Sequence, residues 1–245
     1  MLKRVNKGLV IIILLGLLLR LFGINHGYPF VYHPDEPTII RSALGIRFDI
    51  NPAHFDWPHL YIYFNYLIYM IFTKLRIVFP KETFSILWDD SWVFYLLTRL
   101  VSTLFAVMTA LPIYLIGKKA FNEKTGLFAS LGLMLVPLHV LYSHYALSEA
   151  PMVFLLSCAV YFAVRIMMDE NTNLSSKKTK FGFFTKKIID YKYYILTGLF
   201  IGLSASTKYN GGLSAFIVPL ATLLNLLLFK QYKNKIVLIK NFISI

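Results

Sequence analysis

Apolar residues occupy this chain in long blocks that are separated by short polar or charged stretches. The blocks cover 9–19, 92–116, 126–142, 150–168, 193–206 and 213–229. A helix that spans a bilayer needs about 17–25 mostly apolar residues, and most blocks reach that length with their flanks. The blocks are apolar on every face, which predicts helices and not the alternating strands of a barrel. The sequence therefore predicts an all-α protein that crosses a membrane several times.

The composition supports this prediction, because 57% of the residues are hydrophobic, against about 45–50% in soluble domains. The predicted spans are about 8–24, 92–117, 125–143, 150–168, 193–208 and 213–229, and a seventh begins at 236. The chain ends within that last segment. We therefore expect 1–245 to be the N-terminal portion of a longer protein, forming one transmembrane domain.

The distribution of positive charge predicts the orientation. The chain carries 25 Lys and Arg against 12 Asp and Glu, and many of the cations cluster at 3–7, 118–124, 177–192 and 230–235. With the predicted spans these clusters share one side, which the positive-inside rule makes cytoplasmic. We expect a multi-pass protein of the cell (plasma) membrane with a cytoplasmic N-terminus. Because the cations lie between apolar blocks, lipid headgroups explain them better than nucleic acid.

Residues 59–79 are also long and apolar enough to span, but six Tyr and Phe side chains lie between positions 61 and 72. A span here would invert every later segment and turn the later lysine clusters outward. Aromatic helices of this kind are typical of the membrane interface. We interpret 25–91 as one external loop that carries interface helices.

Two adjacent carboxylates are the first candidates for chemistry. Asp35 and Glu36 lie between Pro34 and Pro37 in this loop, and the prolines hold the backbone out of a helix. A carboxylate fixed beside the membrane can act as a general base or bind a divalent cation such as Mg or Mn. The alternative is an ordinary solvated turn.

Three further ionisable residues are predicted at the same face. Glu149 begins a helix, with Pro151 in its first turn, so it either serves chemistry or interacts with the helix dipole. Arg99 lies about two turns inside its apolar block, where it either faces a protein interior and binds phosphate or extends to the interface. Lys208 is a phosphate contact or an interfacial anchor.

Four histidines also fall on this face, at His33, His54, His59 and His144. Imidazoles near carboxylates can bind a metal, but their spacing does not resemble a standard zinc pattern. We predict no metal site formed by the protein alone.

Several stretches resemble, in register, the phospholipid-carrier-dependent glycosyltransferases of the GT-C superfamily, which include protein O-mannosyltransferases and the lipid A aminoarabinose transferase. The stretches are Tyr32-His-Pro-Asp-Glu-Pro, Asn51-Pro-Ala-His-Phe-Asp-Trp-Pro-His-Leu-Tyr-Ile-Tyr, Thr98-Arg-Leu-Val-Ser, Pro137-Leu-His-Val-Leu-Tyr-Ser-His-Tyr-Ala with Glu149-Ala-Pro, and Gly198-Leu-Phe-Ile-Gly-Leu with Thr207-Lys-Tyr-Asn-Gly. The resemblance implies a GT-C-like helical bundle. It also implies transfer of a hexose or pentose from a polyprenyl-phosphate donor to an acceptor (protein, lipid or glycan) at the external face.

The resemblance also implies residue roles. Asp35 matches the catalytic aspartate that deprotonates the acceptor, and Glu36 completes the acidic pair. Arg99 matches an arginine associated with the donor phosphate, and Glu149 occupies the place of a second external acidic residue, where relatives often have Asp. From their positions at the same face, we also expect Lys208 at the donor phosphate, His144 on the acceptor side with Glu149, and His33 and His59 as loop contacts.

The chain also departs from the family pattern. It has Trp57-Pro58-His59 where relatives often have a lysine before the aromatic helix. We also expect that 1–245 does not include the C-terminal half of the family. The alternatives to a glycosyltransferase are a polytopic transporter and a non-catalytic membrane subunit. Transporters place ionisable groups near mid-membrane, whereas the acidic residues here gather in an external loop.

Overall fold

The structure is a computed structural model that describes residues 6–28, 30–46, 48–52, 56–78, 92–168 and 182–229. Within these ranges it is built from α-helices and one 3-10 helix and contains no strand, so the predicted all-α class is confirmed. The α-helices are α1 Lys7–Leu21, α2 Glu36–Gly45, α3 Leu60–Val78, α4 Trp92–Met108, α5 Ala110–Ala120, α6 Glu123–Leu135, α7 Pro137–Ser143, α8 Glu149–Met168, α9 Gly182–Thr207 and α10 Ile217–Phe229. The 3-10 helix Tyr209–Phe216 precedes α10. The predicted seventh span at 236, His54 and the lysine-rich stretch 169–181 lie outside the described residues.

Among the described helices, two segments are long and apolar enough to cross a membrane. They are α8 and the nearly continuous α4–α5 segment of 29 residues, and α6 with α7 makes a third if the bent pair is one span. This composition identifies an integral membrane protein. The predicted span 125–143 is not one straight helix, because α6 and α7 meet at an angle of 61°. Pro137 lacks an N–H and disfavours the helical conformation of Val136, which is extended at φ −61° and ψ 118°.

Glycines set the contact between α5 and α6. A Cβ added at Gly126 would lie 2.5 Å from the carbonyl oxygen of Tyr114, and one added at Gly117 would lie 2.7 Å from the Cα of Gly126. Because only hydrogen fits between these backbones, the two helices form a tight hairpin. Near this turn, Glu123 accepts from Lys118 at 3.1 Å and from Asn6 on α1.

Consecutive long segments alternate in direction, and the contacts at their ends establish this. The C-terminus of α1 meets the C-terminus of α7, since His144 Nε2 lies 2.9 Å from the Phe22 carbonyl. The start of α8 meets the end of α9 through an ion pair of Glu149 with Lys208. We call this end of the bundle the site end. At the opposite end, Asn225 donates to the Met167 carbonyl at 2.7 Å.

Helices α2 and α3 cover the first half of α4 at the site end. Ile39 and Tyr61 pack with Val101 and Leu147 in one buried cluster. The hydroxyl of Tyr61 lies 2.7 Å from Ser102 Oγ, and Ser102 Oγ donates in turn to the Leu147 carbonyl at 3.1 Å. Burial raises the pKa of the Tyr61 hydroxyl, which keeps it protonated and able to donate. These contacts fix α2 and α3 to α4.

Candidate functional site

An ion pair between Glu36 and Arg99 forms the buried centre of the site end. Arg99 Nε donates to Glu36 Oε1 at 2.7 Å and Arg99 Nη2 donates to Oε2 at 2.8 Å, and both side chains are 0% exposed. Parallel bonds of this kind match the planar guanidinium to the carboxylate. Glu36 Oε1 also accepts the backbone N–H of Ala146 at 2.7 Å. One carboxylate thus joins α2, α4 and the loop before α8.

The remaining side of Arg99 is also occupied. Nη1 donates to the carbonyls of Ile24 at 3.0 Å and His26 at 2.9 Å, and the guanidinium carbon lies 4.9 Å from the centroid of the Trp92 ring. Trp92 Nε1 donates to the side chain of Asn25. The sequence suggested that Arg99 either faces the protein interior and binds phosphate or extends to the interface, and its burial contradicts the second alternative. In this structure its guanidinium contacts Glu36, backbone carbonyls and an aromatic ring.

Asp35 differs sharply from its neighbour Glu36. The prediction that the prolines keep this stretch out of a helix is wrong, because Asp35 is the N-cap residue of α2 and Pro37 lies in the first turn, where a proline is tolerated. The Asp35 side chain caps no backbone N–H. Asp35 is half-buried, whereas Glu36 is buried. Among the described residues no hydrogen bond or ion pair engages the Asp35 carboxylate, while its backbone N–H donates to His33 Nδ1 at 3.2 Å. The Glu36 carboxylate is therefore fully engaged within the protein, whereas the Asp35 carboxylate is not engaged by any described residue.

An aromatic cluster lies beside these carboxylates. The Tyr145 ring lies between two imidazoles, 4.9 Å from His33 and 5.2 Å from His26 by ring centroids. His26 also approaches His144, at 6.3 Å between centroids. The sequence predicted His33 and His144 here but not His26 or Tyr145. Both residues could have been found from their positions in the sequence, because His26 follows the first predicted span directly and Tyr145 lies between His144 and Glu149.

The His26 ring is half-buried, but its Nε2 has almost no exposed surface and finds no hydrogen-bond partner among the described residues. Burial lowers the pKa of His26, and the positive charge of Arg99 lowers it further. The other ring, His144, spans two segments, with Nδ1 2.8 Å from the Val140 carbonyl and Nε2 at the Phe22 carbonyl. His144 thereby ties the end of α7 to the end of α1.

Glu149 and Lys208 form the second charged group of the site end. Glu149 Oε1 accepts from Lys208 Nζ, and the two side chains remain 26% and 36% exposed, respectively. Glu149 is the first residue of α8, and Lys208 lies between α9 and the 3-10 helix. A half-exposed pair exchanges partners more easily than a buried one. Lys208 is therefore a cation whose partner Glu149 can be exchanged for an incoming anion.

His59 lies at the start of α3, where its ring contacts Tyr63 edge-on at 6.1 Å between centroids. Within the described parts of the chain, no three His, Cys, Asp or Glu side chains are grouped as a metal site. The candidate centre thus consists of the carboxylate of Asp35, the pair Glu149–Lys208 and the histidine–tyrosine cluster, and the buried pair Glu36–Arg99 joins α2, α4 and the loop that leads to Glu149.

Comparison with known proteins gives one family. Residues 85–245 match the family described as dolichyl-phosphate-mannose-protein mannosyltransferase. The matched region contains Arg99, His144, Glu149 and Lys208, whereas Asp35 and Glu36 precede it. No curated protein and no solved structure matches the chain. Since the match covers about two thirds of the residues and the fold is an all-α membrane bundle, the chain belongs to the dolichyl-phosphate-mannose-protein mannosyltransferase family.

Proposed function

We propose that this protein transfers a sugar from a polyprenyl-phosphate donor to an acceptor at the external face of the membrane, with Asp35 as the general base. The observation that carries the proposal is the contrast between two adjacent carboxylates. The Glu36 carboxylate is saturated by Arg99 and Ala146, whereas the Asp35 carboxylate is half-buried and is not engaged by any described residue. The family supports a membrane glycosyltransferase with a lipid-linked donor.

In this reaction Asp35 accepts the proton of the acceptor hydroxyl as the hydroxyl oxygen forms a bond to the anomeric carbon. The bond from the anomeric carbon to the phosphate oxygen breaks, and the lipid phosphate leaves with the electron pair. Attack opposite the leaving group inverts the anomeric centre. A positioned base contributes about 10²- to 10⁴-fold to such a rate.

Lys208 is the proposed contact for the leaving phosphate. It is half-exposed and paired with Glu149, whereas the guanidinium of Arg99 is enclosed. A cation that contacts the phosphate as negative charge develops stabilises the transition state. Before the sugar donor binds, Glu149 is the ion-pair partner of Lys208. We place Glu149 and His144 on the acceptor side.

The orientation proposed for the bundle follows from alternation and charge. The site end contains Asp35 and Glu149, and the opposite end includes Asn6 and Lys118. We place the opposite end in the cytoplasm and the site end outside, with α3 along the interface. Single cysteines at positions 35 and 122, labelled by a membrane-impermeant reagent on intact cells, test this. Labelling of both from one side would contradict it.

The experiment supplies radiolabelled polyprenyl-phosphate mannose to membranes that contain the chain and follows label in protein, lipid and glycan fractions. Asp35→Asn is expected to reduce transfer at least about 100-fold. The matched control is Asp49→Asn, an exposed carboxylate of the same loop, which accepts the N–H of Asn51 at 2.9 Å and should leave transfer unchanged.

Each contrary result identifies a different failure. Equal transfer by Asp35→Asn and wild type would exclude Asp35 as the base. Transfer no greater than in membranes without the chain would favour a transporter or a non-catalytic subunit.

A parallel assay with a chelator tests whether a divalent cation takes part. Lys208→Met tests the phosphate contact, and we expect it to weaken donor use while Asp35 stays in place.

A further inference from the structure

A second arginine is buried at the bend between α6 and α7. Arg20, in the last turn of α1, is 0% exposed. Its Nη1 donates to the carbonyl of Gly16 at 3.0 Å and to the carbonyl of Met134 at 3.2 Å. Its Nη2 lies 2.7 Å from His139 Nδ1, which must accept because a guanidinium only donates. The reaction proposed above gives Arg20 no task.

The bend leaves the Met134 carbonyl without its usual backbone donor. In a continuous helix the Met134 carbonyl would accept from the N–H four residues later. The chain turns by 61° at Val136 and Pro137, so that N–H falls in the first turn of the new helix α7. Among the described backbone bonds none ends on the Met134 carbonyl. Arg20 supplies the missing donor from a neighbouring helix.

The guanidinium also contacts the other side of the bend. Met134 belongs to α6 and His139 to α7, so the planar fork of Arg20 holds one group on each helix. Buried ionisable groups in membrane proteins are costly and normally have a task. Here the task is to fix the angle between α6 and α7.

That angle determines where α7 ends. The Ser143 carbonyl accepts from Thr103 Oγ1 at 3.0 Å, and the following loop delivers the Ala146 N–H to Glu36. Residues 144–148 then lead directly into Glu149. A change of angle at Pro137 is carried along α7 and moves this loop away from α4.

We propose that Arg20 is a positioning residue, which fixes the α6–α7 bend through Met134 and His139 and thereby holds loop 144–148 against Glu36. This goes beyond the proposed transfer reaction, because it concerns the conformation of the loop and holds whichever group is the base.

Hydrogen exchange measured by mass spectrometry on the purified chain in detergent tests the proposal. Arg20→Met is expected to speed exchange of a peptide covering 144–148 at least tenfold, while peptides of α8 keep their wild-type protection. Arg20→Lys keeps the charge but not the planar fork, so its exchange should be intermediate. The matched control is Arg165→Met, which removes an arginine at the opposite end that donates to Tyr161 at 3.0 Å. It should leave 144–148 as in wild type.

A spectroscopic readout accompanies the exchange. In protein with ¹⁵N-labelled histidine, Nδ1 of His139 should give the signal of an unprotonated, accepting nitrogen in wild type and in Arg165→Met, and should change in Arg20→Met. If Arg20→Met does not fold, His139→Leu removes the bond on the α7 side alone and should also speed exchange of 144–148. Exchange within twofold of wild type in the folded Arg20 or His139 variant would overturn the proposal.

Discussion

The carboxylate of Glu36 and the guanidinium of Arg99 lie side by side, joined by parallel bonds of 2.7 and 2.8 Å, with neither side chain exposed. The two residues are 63 positions apart in the chain. Their contact fixes the start of α2 on the side of α4, and Asp35 is the residue immediately before that start. The position of the proposed base is therefore set by its neighbour.

Loss of either partner of this pair should destabilise the fold strongly. Glu36→Gln leaves the Arg99 charge buried, and Arg99→Met leaves the Glu36 charge buried, so we expect each to lower the free energy of unfolding by about 3–5 kcal/mol. The double variant leaves no unpaired charge and should cost less than the sum. Chemical unfolding in detergent micelles measures all three. Additive losses would contradict a coupled pair.

The sequence predicted part of this arrangement. Arg99 was recognisable, because an arginine within an apolar block requires a buried partner or a wet cavity. Whether Arg99 has a buried partner or faces a wet cavity depends on Glu36, which lies in a different segment. No local sequence pattern pairs Arg99 with Glu36. Asp35 and Glu36 are adjacent in the sequence and carry the same charge. Only the fold distinguishes the buried carboxylate from the available one.

The close contact of α5 with α6 gives a second prediction. Gly126→Ala should lower the free energy of unfolding by about 1–3 kcal/mol, because the new Cβ would lie 2.5 Å from the Tyr114 carbonyl oxygen, which belongs to the backbone and cannot rotate away. Gly132→Ala, in the same helix, has nothing within 4 Å of the new Cβ and is the control. It should be neutral or slightly stabilising. Similar losses in both variants would show that helix packing is not the cause.

A glycine also positions Lys208. A Cβ at Gly211 would lie 2.5 Å from Ser204 Oγ and 2.6 Å from the Ser204 backbone carbon, so Gly211→Ala should push the 3-10 helix away from α9. Lys208 precedes this helix, and its N–H donates to the Ser204 carbonyl at 2.9 Å. We expect sugar transfer to fall at least about tenfold, since small displacements of positioned groups are costly in catalysis.

The neighbouring glycine is a matched control for this change. Gly212→Ala places its Cβ 3.6 Å from Ala205 Cβ, which is ordinary contact. Transfer by this variant should stay near the wild-type rate in the same membranes. Equal loss in the two variants would mean that the segment tolerates no side chain at all, and the specific link to Lys208 would fail.

The broken helices mark where sequence reasoning reached its limit. Hydropathy predicted one span over 125–143 and another over 213–229, because it responds to apolar content and not to backbone hydrogen bonds. Pro137 was the visible sign of the first break, and Gly211 with Gly212 was the sign of the 3-10 turn in the second. Arg20 was visible only as a cation at the end of the first span. Its role depends on a carbonyl 114 residues away.

His26 gives a prediction about pH. Burial, with help from the Arg99 charge, lowers the pKa of this imidazole below its ordinary value of about 6.5. The unfolded chain therefore binds a proton at His26 more readily than the folded chain does. The stabilising contribution of neutral His26 is complete above about pH 6.5 and is lost as the pH falls through the lower, folded pKa. Stability should consequently decline on moderate acidification.

His26→Asn removes this titration while keeping the backbone carbonyl that accepts from Arg99 at 2.9 Å. Melting temperatures in detergent at pH 7.5 and 5.5 should fall less in the variant than in wild type, because in wild type a proton on His26 would add a second positive charge beside Arg99 and close to His144. The Glu36 carboxylate would then be shared between two cations, which weakens the ion pair that joins α2 to α4. Equal falls in both proteins would mean that other groups govern the acid sensitivity and that His26 titrates without affecting the site end.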